Sequence, residues 1–150
     1  MKHVPLMLAA GMFALAACAT TPAPASSGAA LQETASLMIS ISQHGEGAST
    51  EDIADLAAQL DERVAAAPGD PFVLKLAAQA RRTLSDYSQD RAERVRLRQA
   101  ALAEFDKAIS LAGASQASRV VMINGQETEI DLKDLPDLRA QLFQQVQTDR

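Results

Sequence analysis

Apolar residues along this chain recur at two periods, and the switch between them marks out its elements. From Leu31 onward they return every three or four positions, as one face of a helix requires. Leu31, Ala35, Met38 and Ile41 or Ser42 form the first stripe, and His44-Gly45 ends it, with Gly45 as the C-cap. Ile53, Leu56, Leu60 and Val64 form the second. Ser49 or Thr50 can cap its start, and Glu51, Asp52 and Asp55 suit the positive end of a helix dipole. Pro68-Gly69 stops it. Asp70-Pro71 then starts the next helix at once, with Asp70 as N-cap and Pro71 at the first helical position. Val73, Leu76, Ala77, Ala80, Leu84 and Tyr87 face one way, and so short a break between two stripes predicts an αα-hairpin.

A fourth helix is expected from about Arg91 to Ala112, opened by Asp90 and Glu93 as a variant capping box. Val95, Leu102, Phe105 and Ile109 share its stripe. Leu97, Ala101, Ala108 and Leu111 widen the arc, which suits a helix packed on two sides. The period then falls to two. Arg119 to Leu132 predicts a β-hairpin around Asn124-Gly125, because a tight hairpin turn needs residues that tolerate positive φ. Its register sets Val121 opposite Thr128 and Arg119 opposite Ile130 on one face, with Val120 and Met122 opposite Glu129 and Glu127 on the wet face. A lone hairpin is marginally stable, so its apolar face must dock on the helices. A last helix follows from Pro136, with Leu138, Leu142 and Val146 in line. The expected fold class is mainly α: helical hairpins, one β-hairpin near the C-terminus, then a final helix.

The segment ahead of Leu31 fits neither period. Met1, Lys2 and His3 make a short basic start, and Val4 to Ala14 is apolar except for Pro5 and Gly11. That run is shorter than the ~20 residues a membrane-spanning helix needs, and residues 1–17 fit a signal peptide. Leu15-Ala16-Ala17-Cys18 resembles the lipobox of bacterial lipoproteins: an aliphatic residue, two small ones and a Cys. The resemblance implies that Cys18 is lipidated with diacylglycerol, that cleavage falls just before it, and that its new amine carries a further acyl group such as palmitate. Two or three acyl chains, at ~0.8 kcal/mol per buried methylene, make such an anchor nearly permanent. Cys18 is the only Cys, so no intramolecular disulfide is possible. By the sorting rule of the same lipoproteins, Ala19 in place of Asp implies the outer membrane, the domain facing the periplasm, with the inner membrane as the alternative. Residues 18–30 are the lipidated Cys and a flexible tether, since Thr20 to Ala30 holds two Pro and no large apolar residue. Residues 31–150 are then a single helical domain.

The Leu56–Phe105 stretch resembles a tetratricopeptide repeat, a helix pair that stacks on further pairs. The likeness lies in Pro68 at a helix end, small Ala77 and Ala78 where a neighbour must come close, and Ala101, Phe105 and Ala108 in the next helix. Leu74 stands where the family has a large aromatic, Ala78 where it has Gly, and the Ser85–Asp90 loop stretches the unit past the usual period. The match is therefore to a degenerate repeat.

Charge and chemistry narrow the function further. The net charge is −5, and removal of residues 1–17 takes away Lys2 as well. Nucleic acid and anionic headgroups are therefore not expected as the main partner. His44 sits at a helix C-terminus, where an imidazole suits the dipole, and has no partners for a metal or a nucleophile. Asp131, Asp134 and Asp137 recur every third residue without the spacing of a calcium loop, and Asp134 and Asp137 suit the start of the last helix. Gly45-Glu46-Gly47 reads as a linker. No catalytic residue, metal, cofactor or small-molecule substrate is expected, and the chain is not read as an enzyme.

One cluster stands out. Arg91, Arg94 and Arg98 fall on the same stripe as Leu102, Phe105 and Ile109, with Arg81 and Arg82 one helix earlier. Two readings remain open. Their stems can cover the edge of the core with the charged heads in water, or they can form a groove for an acidic segment of a protein partner, whose carboxylates a guanidinium pairs bidentately. The sequence thus points to a membrane-anchored periplasmic lipoprotein acting as a protein-binding or assembly module for an envelope, secretion or pilus component. The competing class is a structural envelope lipoprotein without a dedicated client.

Overall fold

The structure, a computed structural model, describes residues 27–149 of the chain. In order, the elements are α1 (Ser27–His44), α2 (Thr50–Ala66), α3 (Pro71–Tyr87), α4 (Arg91–Ala112), β1 (Ser118–Ile123), β2 (Gln126–Asp131) and α5 (Leu135–Thr148). The fold is mainly α, with one antiparallel hairpin followed by a last helix. The segment expected to be a signal peptide, Cys18 and the first part of the expected tether lie outside the described residues. Among those described, no helix is long and apolar enough to cross a membrane.

Helix α1 begins at Ser27, inside the segment expected to be tether through Ala30. Ala30 and Leu31 are both buried. The absence of large side chains was misleading there, because alanine is the best helix former and a small face suits close packing. Helix α2 has the expected start: the Ser49 hydroxyl accepts from the Asp52 N–H while the Asp52 carboxylate accepts from the Ser49 N–H. The Ser49 hydroxyl also donates to Asp52 Oδ2 at 2.6 Å, and this bond together with the one from the Ser49 N–H holds the Asp52 carboxyl below its usual range. Asp70 caps α3 through the N–H groups of Phe72 and Val73, with Pro71 in the first turn.

Two expected caps work differently. Asp90 accepts from Ala92 and Glu93 N–H groups, but Glu93 does not reach back; both its oxygens accept from Arg96. Gly45 closes α1 by donating to the Ile41 carbonyl at 2.8 Å, yet it is not among the residues with positive φ. Glycine is needed there for space. A Cβ on Gly45 would stand 2.5 Å from the Tyr87 ring and 2.6 Å from the Ile41 oxygen.

Helix α3 is the centre of the fold and packs against α1, α2 and α4. Phe72, Val73, Leu74 and Leu76 join a core shared with α1, α4, the hairpin and α5. Ala77, Ala80 and Leu84 join a second core with Ile41, Ile53, Leu60 and Leu97. The small residues expected at the helix crossing, Ala77, Ala78, Ala101 and Ala108, are all fully buried, with Phe105 beside them. On α4 the buried line is Leu97, Ala101, Phe105 and Ala108, while Val95 and Leu102 are half-buried and Leu111 is exposed. The arc is as wide as expected, but its centre lies on the small residues, because these admit the close approach of α3.

The hairpin keeps the expected register, with Arg119↔Ile130, Val120↔Glu129, Val121↔Thr128 and Met122↔Glu127. Asn124 and Gly125 both take positive φ, 50° and 77°. Val121 and Ile130 are buried against the helices, whereas Val120 and Met122 are 60% and 48% exposed. Alternation along each strand therefore decides which face docks.

Candidate functional site

Arg91, Arg94 and Arg98 do come together, and they serve the ends of neighbouring helices. Arg94 Nη1 donates to the carbonyl of Ser88, the C-cap of α3, at 2.9 Å. Arg98 donates from Nε to the Ser85 hydroxyl and from Nη2 to Asp86, both in the last turn of α3, and from Nη1 to Asp149 beyond α5. Arg91 Nη2 donates to the Asp149 carbonyl. Two helices thus point their negative ends at the first turns of α4, where cations are favoured. The Arg98 side chain is only 12% exposed. This arrangement agrees with stems covering the core's edge, and it commits the Arg98 guanidinium to the chain's own acceptors. Arg98→Gln is expected to cost about 1–3 kcal/mol, the worth of charged hydrogen bonds that are partly buried. Arg91→Gln, at an exposed position, should cost under ~1 kcal/mol. Urea unfolding of the two variants checks the contrast, and equal losses would contradict it.

Arg81 is not part of that surface. It is 2% exposed and lies in the middle of α3, where Nε donates to Glu104 Oε1 at 2.8 Å and Nη2 to Asp61 Oδ1 at 2.6 Å. Glu104 is buried as well, and its Oε2 has no hydrogen-bond partner among the described residues. Burial pushes the Glu104 carboxyl up to about 7, against the pull of Arg81. Loss of hydration outweighs the attraction of Arg81, and the Asp61 carboxylate adds a smaller push in the same direction. Sequence reading grouped Arg81 with its neighbour Arg82 and missed the triad. A signal was present, since Arg81 falls between Ala77 and Leu84, and Glu104 between Ala101 and Ala108, on the packed stripes of adjacent helices.

The hairpin is fastened by three polar side chains. Gln32 on α1 donates from Nε2 to the Met122 carbonyl at 2.7 Å and accepts from the Met122 N–H at 2.9 Å. Buried Lys75 donates to the Asp131 carbonyl and to Asp134. Arg119 pairs with Asp70 at 2.6 Å and lies 4.6 Å from the Phe72 ring centre. Asp134 is therefore an ion-pair partner, and it gives α5 no side-chain cap. His44 Nδ1 lies 3.2 Å from the Ser40 carbonyl, within its own helix. Among the described residues, no cluster of His, Cys, Asp and Glu could hold a metal ion.

Among the described residues, two concavities can be placed. A cleft of about 210 Å³ lies between the end of α4 and the start of α5, lined by Ile109, Ala112, Leu132, Lys133 and Leu135. A more open hollow of about 500 Å³ beside the α1–α2 loop carries His44, Glu46, Asp52 and Asp55. Comparison with protein-family models, curated proteins and solved structures found no match to this chain.

Proposed function

We propose that this chain is a lipid-anchored periplasmic protein, held to the outer membrane through Cys18, which works as a protein-binding or assembly module in the envelope. The observation that carries this reading is the Leu15-Ala16-Ala17-Cys18 run, preceded by a basic start and an apolar stretch and followed by a Pro-containing tether. Behind the tether stands a small domain whose hairpin turns an apolar pair, Val120 and Met122, toward solvent. The stacking of α1 to α4 through small alanines supports the likeness to helix-pair repeats, a kind of scaffold that binds other proteins. The arginines of α4 are engaged within the chain, which favours the hairpin as the binding surface. A secretion or pilus component passing the periplasm is the proposed kind of client.

Cys18→Ser is expected to abolish membrane attachment outright. Growing cells are fed a palmitate analogue and fractionated, and the wild-type chain should carry label in the membrane fraction. A Ser variant that stays labelled and membrane-bound would show that the lipobox reading is wrong.

A further inference from the structure

In an antiparallel pair, successive residues turn their backbone N–H and C=O groups alternately toward the partner strand and away from it. Met122 turns its groups away from β2, because Gln32 takes both of them. Its cross-strand partner Glu127 therefore turns its own N–H and C=O away from β1, and so does Glu129, two residues on. At the next such position, the Asp131 carbonyl accepts from Lys75 Nζ at 2.6 Å. Among the described residues, α1 covers β1 and Lys75 pins the far end of β2, but none bonds the outward backbone groups of Glu127 and Glu129. Both residues are exposed. An open edge of this kind is a template for another strand.

We infer that β2 accepts an extended segment of a partner protein as a third strand, paired at Glu127 and Glu129 and carrying Lys or Arg at alternate positions. The backbone supplies the pairing, and the side chains select the occupant. Glu127 and Glu129 lie on the outer face, beside Met122 and Val120. In an added strand, the residues on that face stand directly opposite the two carboxylates, where opposite charges are favoured. Aliphatic Lys or Arg stems there can also lie toward the exposed apolar pair. A second copy of this chain is disfavoured, since two β2 edges side by side set glutamates against glutamates, and the whole chain carries a charge of −5. This inference rests on the binding-module reading and names its surface and its partner's chemistry.

The test uses the full chain and an eight-residue peptide of alternating Lys and Thr. The peptide should bind and slow hydrogen exchange at the Glu127 and Glu129 amides. N-methylation of the peptide residues whose N–H groups face β2 should weaken binding about tenfold, the loss of one or two net hydrogen bonds, whereas N-methylation of the intervening residues should change it little. Glu127→Lys with Glu129→Lys should abolish binding of the Lys peptide and create binding of its Glu counterpart. Equal affinity for the two methylated peptides would mean simple charge attraction and overturn the inference. So would absence of binding, or a dimer of the chain alone with those amides protected. The assay does not involve the lipid, so a Cys18-anchored chain that ignores the peptide separates failure of this inference from failure of the anchor.

Discussion

Arg81→Met is expected to destabilise the domain by about 3–5 kcal/mol, the range for removing one partner of a buried ion pair. Met preserves most of the side-chain volume, so the loss is not a cavity effect. What remains is Glu104 inside the protein without its counter-charge, a group that must then take up a proton or stay buried as a bare carboxylate, and among the described residues one of its oxygens already lacks a partner. Asp61 contributes little to the loss, because its side chain is 67% exposed and water takes over. Adding Glu104→Leu to Arg81→Met should therefore return most of the stability, since apolar replacement of a buried pair is often neutral or better. A double-mutant cycle by urea unfolding measures the coupling. If Arg81→Met alone costs under ~1 kcal/mol, or if the second substitution deepens the loss, the triad does not act as described.

Stability should also fall by ~3 kcal/mol as pH rises from about 4.5 to above 7, with Glu104→Gln removing that slope. The folded protein holds the Glu104 proton more tightly than the unfolded chain, its carboxyl being raised from 4.5 to about 7. The contribution is fully present below the unfolded value and is lost as pH passes through the folded one. Asp52 and Glu93 are shifted downward, by Ser49 and by Arg96 respectively, and act with the opposite sign. Their contribution is lost as pH falls, so the window from 5 to 8 isolates Glu104. Denaturation midpoints of wild type and Glu104→Gln across that window decide the matter. Parallel profiles would show that Glu104 titrates alike in both states.

Most of the fold was legible because it rests on local rules. The Asp70-Pro71 start, the Asn124-Gly125 turn and the alternation around it each depend on residues within a few positions of one another. The register of the hairpin followed from the length of its turn alone. What was not legible depends on partners far along the chain. Arg81 and Glu104 are 23 positions apart, and although each lies on an apolar stripe, nothing local names the partner that makes its burial tolerable. The start of α1 was obscured because small side chains suit both a tether and a close-packed helix. Gly45 was correctly placed at a helix end, but its reason, the Tyr87 ring, lies in α3. The arginines of α4 were grouped correctly, while the acceptors that engage them, Ser88 and Asp149, are unremarkable in sequence.

Gln32 and Met122 meet across 90 positions of chain, and that separation has a kinetic meaning. The packing of α1 to α4 joins helices that are neighbours or next neighbours in sequence, so each closure encloses a short loop. Seating the hairpin on α1 encloses almost the whole domain, and the entropy of that closure grows with loop length. Local contacts form early and distant ones late. The helical stack is therefore expected to assemble first and the hairpin to dock last, onto Asp70, Phe72 and Lys75 already in position to receive it. By the same ordering the hairpin is the first element to release during partial opening, so native-state hydrogen exchange reaches Val121 and Ile130 before the centre of α3.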